Sequence, residues 1–274
     1  MKSKQKIQKK TLSILKFSFT SFFTFFFLCL KIRFEFIREL PSLKDFDEER
    51  EIIRGSLKKI PSKKERDGKK ILVLDIDETL VYCSTNPIDS YDLAFEIVFK
   101  GDLQSIYVKK RPFLDEFLDT IGKNFYCIVY SSAQSVYLEK LISEIDKSGI
   151  IKNIYERSNC LRVNGFYIKD LSIFESDDLK LNEMIILDDS IQAFAYQLNN
   201  GVPILKFDSK SEDNELKNIL PFLLMLSDPN IGDVRTLISE KFNLSKRVKG
   251  EQENQCTIAS SPMDGVNNYF FFFF

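Results

Sequence analysis

The hydrophobic pattern is clearest at residues 70–80, which read Lys-Ile-Leu-Val-Leu-Asp-Ile-Asp-Glu-Thr-Leu. An apolar run, Ile71 to Leu74, stops at two carboxylates one residue apart, Asp75 and Asp77, with Thr79 two positions further on. Its length and β-branched content predict a buried strand. The end of that strand would project both acids from the carboxyl edge of a sheet, where open α/β folds place their ligands. Similar runs recur at Phe125 to Tyr130, ending at Ser131-Ser132, and at Met184 to Leu187, ending at Asp188-Asp189. Between them the period changes. Pro112 to Ile121 puts Phe113, Phe117, Leu118 and Ile121 on one helical face with proline at the first helical position. Val136 to Ile145 is amphipathic, and Glu212 to Leu226 and Asp233 to Ser239 read as closing helices. Tyr91 to Phe99 and Ser105 to Val108 predict a β-hairpin turned at Gly101-Asp102. The alternation predicts an α/β fold, a parallel sheet flanked by helices, with a small β-hairpin insertion after the first strand.

The ends of the chain break this pattern. A lysine-rich head, Lys2 to Lys10, precedes the phenylalanine-rich stretch Phe17 to Leu30, an uncharged run of about 14 residues, short of the ~20 that a spanning helix needs. Lys16 can snorkel at one end, and Ile32, Phe34 and Phe36 extend the other. A membrane segment is the expectation, with a cleaved signal or transit peptide and a low-complexity start as the alternatives. Positive charge flanks both sides, so topology stays open. From Pro41 the composition turns highly charged, with a short helix predicted over Lys44 to Leu57 and a polar linker over Pro61 to Gly68. The expected organisation is therefore a basic head and membrane segment over 1–40, a charged linker over 41–68, the folded domain over 69–244 and a disordered polar tail over 245–274. The tail ends in a phenylalanine run, Phe270 to Phe274, which a soluble domain does not usually carry into solvent.

Composition narrows the chemistry. Among 274 residues there are 39 Lys and Arg against 40 Asp and Glu, a formal net charge of −1, so no bulk attraction for nucleic acid is expected. No acid precedes Glu35, so the head is basic and the remainder acidic. Five cysteines show no CxxC spacing, and Cys127, inside a strand-like run, reads as a buried thiol. The chain has no histidine. That removes histidine general bases, histidine zinc sites and the Ser-His-Asp triad together. Chemistry must come from carboxylates, Lys, Arg, hydroxyls or a metal.

Three strand ends deliver such an inventory: Asp75 and Asp77, Ser131 and Ser132, Asp188 and Asp189, with Lys169 between the second and third. Crowded carboxylates repel one another unless a positive charge sits among them, most simply Mg²⁺. A nucleophile, a proton donor, a metal and clamps on phosphoryl oxygens are what phosphoryl transfer requires. Alone, each motif has a plainer explanation: Asp75 and Asp77 or Asp188 and Asp189 capping a helix, Ser131 as an N-cap, Lys169 on a solvated face. Arg111 reads as structural, positioning a helix start, and Tyr91, Phe95, Phe99 and Tyr107 read as packing on the hairpin.

Taken together, Asp75-Ile76-Asp77-Glu78-Thr79-Leu80 resembles the DxDxT signature of haloacid-dehalogenase-superfamily (HAD) phosphatases, in the form typical of RNA polymerase II C-terminal-domain (CTD) small phosphatases. The resemblance continues at Lys109-Lys110-Arg111-Pro112-Phe113, Val129-Tyr130-Ser131-Ser132, Arg157-Ser158-Asn159-Cys160, Tyr167-Ile168-Lys169-Asp170 and Ile186-Leu187-Asp188-Asp189, spanning roughly residues 69–244. It implies a Rossmann-like, HAD-type sheet and a Mg²⁺-dependent protein serine/threonine phosphatase. Asp75 would be the nucleophile and Asp77 the acid, then the base. Ser131, Lys169, Thr79 and Arg157 would serve the phosphate. Asp75, the Asp77 carbonyl, Asp189 and Asp188 would serve the metal. Two departures stand out: Ser131 where threonine is usual, and Asp188-Asp189 where the small phosphatases carry Asp-Asn. The implied partner is a phosphoprotein. The N-terminal stretch adds a possible membrane contact, giving a nuclear-envelope or endoplasmic-reticulum address, or the nucleus. The alternative is a mitochondrial inner-membrane translocase receptor, which carries the same domain as a binding module after a presequence and a membrane span.

Overall fold

Strand β1 (Ile71–Leu74) occupies the middle of a five-stranded sheet in the computed structural model, which describes residues 34–209 and 212–250. Its neighbours are β5 (Tyr126–Tyr130) and β9 (Met184–Asp188), with β6 (Ile151–Tyr155) and β10 (Gly201–Pro203) at the edges. All pairings are parallel, with Leu72 opposite Cys127 on one side and Ile185 on the other. All four β1 residues are fully buried, as expected where helices cover both faces of a parallel sheet and the strands read as continuous apolar runs. From β1 the chain passes to β5 and β6 on one side, then returns to β9 and β10 on the other. The order therefore reverses between β1 and β9, and a crevice opens at their carboxyl ends. The fold is α/β, as the alternation of periods predicts.

The helices follow their apolar stripes. Helix α2 (Leu114–Asn124) buries Leu114, Phe117, Leu118 and Ile121, and α3 (Ser135–Ile145) buries Leu138, Leu141, Ile142 and Ile145. Pro112 is not at the first helical position as expected. Phe113 takes φ +67° and the helix starts after it. Helices α4 (Glu215–Ser227) and α5 (Val234–Phe242) close the domain, and α6 (Leu244–Lys249) continues it with Leu244 and Val248 buried. The order seen to Lys249 thus reaches into the stretch expected to be a disordered tail.

The insertion is larger than a hairpin. Strands β3 (Leu93–Phe99) and β4 (Asp102–Lys110) form the expected pair, and β2 (Val81–Ser84) joins β4 on its other edge. A second, short hairpin joins β7 (Leu161–Val163) to β8 (Phe166–Ile168). Its turn residues, Asn164 and Gly165, lie at φ +49° and +85°, the paired left-handed geometry that two-residue hairpin turns require.

The charged stretch 41–68, expected to be a linker, lies against the domain. Residues 34–38 are helical, and α1 (Asp47–Ser56) buries Ile53 in the main core. Pattern reading missed this because the segment's few apolar residues are dispersed among charges. The phenylalanine-rich stretch lies outside the described residues. Among the described residues no helix is long and apolar enough to cross a membrane.

Candidate active site

Asp75 leaves β1 as its first residue past the pairing with β9, and its N–H donates to the Leu187 carbonyl (3.0 Å). The chain then turns sharply. Ile76 and Leu80 are both fully buried, and the Leu80 N–H donates back to the Ile76 carbonyl (2.9 Å). This anchors the loop and folds Thr79 over Asp75. Thr79 Oγ1 donates to Asp75 Oδ2 (2.8 Å) and accepts from the Asp189 N–H (3.2 Å), tying the ends of β1 and β9 together. Lys169, two per cent exposed and placed by β8, donates from Nζ to Asp75 Oδ1 and to Asp188 Oδ2, both at 2.6 Å. Asp188 Oδ1 accepts from the Ser190 N–H (2.8 Å). Both oxygens of Asp75 are thereby held in a fixed plane at the floor of a cleft of about 380 Å³.

Asp77 faces the same cleft from the turn. Its Oδ1 accepts from the Tyr137 hydroxyl on α3, and Phe95 of the insertion packs beside that ring. Desolvation pushes the Asp77 carboxyl up to about 7, against the pull of the Tyr137 hydrogen bond and with Asp75 adding repulsion. Near neutral pH it is therefore a donor in part and an acceptor in part, as an acid that later becomes a base must be. Burial also raises Asp189, to about 6, with Asp75 and Glu78 adding to it. Asp188 rises to about 8 through burial, opposed by Lys169 and reinforced by Asp75 and Asp189. Burial works against the Lys169 charge, but Asp188 and Asp75 more than offset it and hold the ammonium above the usual lysine range.

The carboxylates of Asp75, Asp188 and Asp189 offer oxygens within 4.8 Å of one another. With one lysine among them this is a surplus of negative charge, all of it hard oxygen, and it fits Mg²⁺. Lys169 and the Ser190 N–H already engage the two Asp188 oxygens. Among the described residues the Asp189 carboxylate accepts a hydrogen bond only from Thr79 Oγ1, at 3.5 Å, so it is the freer ligand. The Asp77 carboxylate is not in this trio; its partner is Tyr137.

Ser131 and Ser132 line the cleft at the end of β5. Ser131 is not the helix cap, which is Gln134. Its Oγ accepts from the Ala133 N–H (3.1 Å) in a tight local turn, leaving the hydroxyl proton to be donated. Arg157 is not brought to the lining. Its Nε donates to the Ser132 carbonyl (2.6 Å) and its guanidinium stacks 5.1 Å over Tyr167, so it braces two walls of the cleft. Arg111 is structural as expected: it pairs with Asp213 and reaches the Thr79 and Leu205 carbonyls. Sequence reasoning missed Tyr137, visible only as a polar-tipped residue among the apolar positions of α3. It also missed Lys206, which enters the lining from the loop after β10 and sits 3.8 Å from Glu78.

A parallel sheet with an acid-rich cleft at its switch point, centred on a fixed aspartate, holds an inventory that phosphoryl transfer can use. The family is given by comparison: residues 70–235 match the model of the NLI interacting factor-like phosphatase family, and the chain belongs to that family, with its HAD-type fold. The chain is 40% identical over 185 residues to CTD small phosphatase-like protein 2 of Dictyostelium discoideum, covering 68% of this chain and 32% of that protein. It is 37% identical over 191 residues to CTD small phosphatase-like protein 3 of Caenorhabditis elegans, covering 69% of this chain and 65% of that protein. It is 32% identical over 182 residues to the human carboxy-terminal domain RNA polymerase II polypeptide A small phosphatase 1, covering 66% and 68%. The match thus spans about a third of the first of these relatives and about two thirds of the other two.

Proposed function

We propose that this chain is a Mg²⁺-dependent phosphoprotein phosphatase that hydrolyses phosphoserine and phosphothreonine through a phospho-aspartate on Asp75. The observation that carries this reading is the clamped Asp75 carboxylate, held by Lys169 and Thr79 at the floor of an open cleft beside Asp77. In the first half-reaction an Asp75 oxygen attacks phosphorus, the bond from phosphorus to the serine or threonine oxygen breaks, and Asp77 gives its proton to that oxygen. In the second, Asp77 takes a proton from water as the water oxygen attacks phosphorus, releasing phosphate and restoring Asp75. Lys169 balances charge on Asp75 and on the transferring group, and the Ser131 hydroxyl donates to it. When bound by Asp75, Asp189 and Asp188, with the Asp77 carbonyl that the family resemblance adds, Mg²⁺ supplies neutralisation of phosphoryl charge.

The relatives named above are phosphatases by name, so the translocase-receptor reading draws no support from them. A receptor would also have no use for four costly charges around one cleft. The choice of serine and threonine esters, and of a protein as substrate, rests on the family resemblance. The stretch Phe17 to Leu30 would bring the domain to the nuclear envelope or endoplasmic reticulum; a fluorescent fusion of residues 1–40 separates these addresses from a mitochondrial one. The decisive assay is hydrolysis of p-nitrophenyl phosphate by the full chain. Activity should need Mg²⁺, vanish with chelator and vanish in Asp75→Asn. A folded wild-type chain that is inert with Mg²⁺ overturns the proposal.

A further inference from the structure

The hairpin that delivers Lys169 has little support of its own. β7 and β8 are three residues each, and an isolated two-stranded hairpin is marginal in water. Its buried side chains, Leu161, Val163 and Ile168, form a small cluster separate from the main core. That cluster is closed by Phe36, Leu40, Leu43 and Phe46 from the N-terminal segment, together with Tyr196. Tyr196 is itself tied to that segment, its hydroxyl donating to the Pro41 carbonyl (2.9 Å). Phe36 also lies 4.4 Å from the ring of Phe166, which lines the catalytic cleft.

A second tie is electrostatic. Asp170, next to Lys169 in the chain, is one per cent exposed. Its carboxylate accepts from the Ser172 N–H and hydroxyl, from Gln197 Nε2 (2.7 Å) and from Arg50 Nε on α1 (2.8 Å). The same guanidinium donates through Nη2 to Ser172 Oγ (2.6 Å). Arg50 is thus the counter-charge of a buried carboxylate whose neighbour must serve Asp75. Without it that carboxylate becomes an uncompensated buried charge, and the segment that carries Lys169 loses this tie to α1.

We propose that residues 34–57 complete the phosphatase site: they form a strap that orders the β7–β8 hairpin and, through Arg50 and Asp170, sets the position of Lys169. Arg50 is then a positioning residue for phosphoryl transfer, and the working unit begins near residue 34 rather than near Lys69. This inference rests on the proposed phosphatase reading for its kinetic consequence, but not for its structural one.

The test uses the full chain carrying Arg50→Gln or Arg50→Lys. A displaced clamp costs chemistry more than binding. In Arg50→Gln, kcat on p-nitrophenyl phosphate should fall about tenfold with KM moving about twofold or less, and Arg50→Lys should recover part of the loss by restoring the cation. Hydrogen exchange supplies a readout that needs no turnover: amides over residues 161–173 should exchange faster in Arg50→Gln, with those of β1 and β5 unchanged. If the wild-type chain is inert but this exchange pattern appears, the function proposal fails and the strap stands. A lowered melting temperature with unchanged kcat and uniform exchange would mean that Arg50 is ordinary packing, and overturns the proposal. Unchanged exchange over residues 161–173 also overturns it.

Discussion

Two buried cations, Lys169 and Arg111, hold opposite sides of the same loop and do different work. Arg111 is one per cent exposed and meets one carboxylate, Asp213, in a two-pronged pair, with the Thr79 and Leu205 carbonyls taking its remaining reach. Its one hydrogen-bonded counter-charge is Asp213, with Glu215 close enough to feel the guanidinium, and the hydrogen bonds fix the pair. Lys169 is equally buried but stands between Asp75 and Asp188, with Asp189 and Asp77 near enough to feel its charge. Here the acids outnumber the cation, and Asp77, Asp188 and Asp189 are all pushed above the usual carboxylate range. Burial of charge does not distinguish the two sites. Imbalance does: the balanced pair braces the loop, and the unbalanced cluster has negative charge left over, which suits a metal cation.

The sharpest way to break this comparison is to remove each cation in turn. Arg111→Met leaves Asp213 buried and unpaired and frees two carbonyls, a change expected to cost about 3–5 kcal/mol of stability. The folded fraction should keep kcat within a few-fold, which denaturant titration and assays on the same samples can check. Lys169→Met should do the reverse. Its loss of kcat should reach about 10²–10³-fold, with a smaller stability change, because the neighbouring Asp188 carboxyl, raised to about 8, can hold a proton in place of the lost ion pair. If Arg111→Met proved catalytically dead while fully stable, the division between brace and site would fall.

The sheet and the acids were legible for one reason: β1, β5 and β9 are buried on both faces, so each reads as an unbroken apolar run ending in the residue it delivers. Asp75, Asp77, Ser131, Asp188 and Asp189 all sit at such ends. Lys169 entered the inventory by its place between two strand ends and gained its role through resemblance, since β8 is three residues long and carries no periodicity. Tyr137 and Arg50 were invisible because their partners lie 60 and 120 residues away, and nothing local marks a residue that acts across the fold. The strap was hidden further by its charge. Its helix α1 shows one buried apolar residue, Ile53, and is held by ion pairs and by aromatic contacts from the residues before it. Arg157, a motif residue expected to serve the phosphate, here ties Ser132 to Tyr167.

Tyr137 offers a finer cut within the unbalanced cluster. Its hydroxyl donates to Asp77, so Tyr137→Phe frees the acid without removing it. The expected loss is about tenfold with substrates whose leaving oxygen needs a proton, such as a phosphoserine peptide, and much less with p-nitrophenyl phosphate, whose leaving group departs unaided. An equal loss on both substrates would mean that Tyr137 only supports the fold.

The smallest expected effect tests the imbalance directly through pH. The folded-state values of Asp189, Asp77 and Asp188, about 6, 7 and 8, all lie above the unfolded value of about 3.9. Over that interval the metal-free folded chain binds more protons than the unfolded chain. Stability from these groups is therefore fully present below about pH 4 and is lost as pH rises through the folded values toward 8. Under the proposed function Mg²⁺ would bind the ionised carboxylates and stabilise by RT ln(1 + c/Kd), where c is its free concentration. The rise in melting temperature caused by saturating Mg²⁺ should thus be small at pH 5 and grow by a few degrees toward pH 8. In Asp189→Asn one of the three titrating acids is gone, and both the metal-free loss and the Mg²⁺ gain should shrink together. A Mg²⁺ gain that is flat from pH 5 to 8 would show that the surplus carboxylates are not the ligands, and Lys169 would then be as balanced as Arg111.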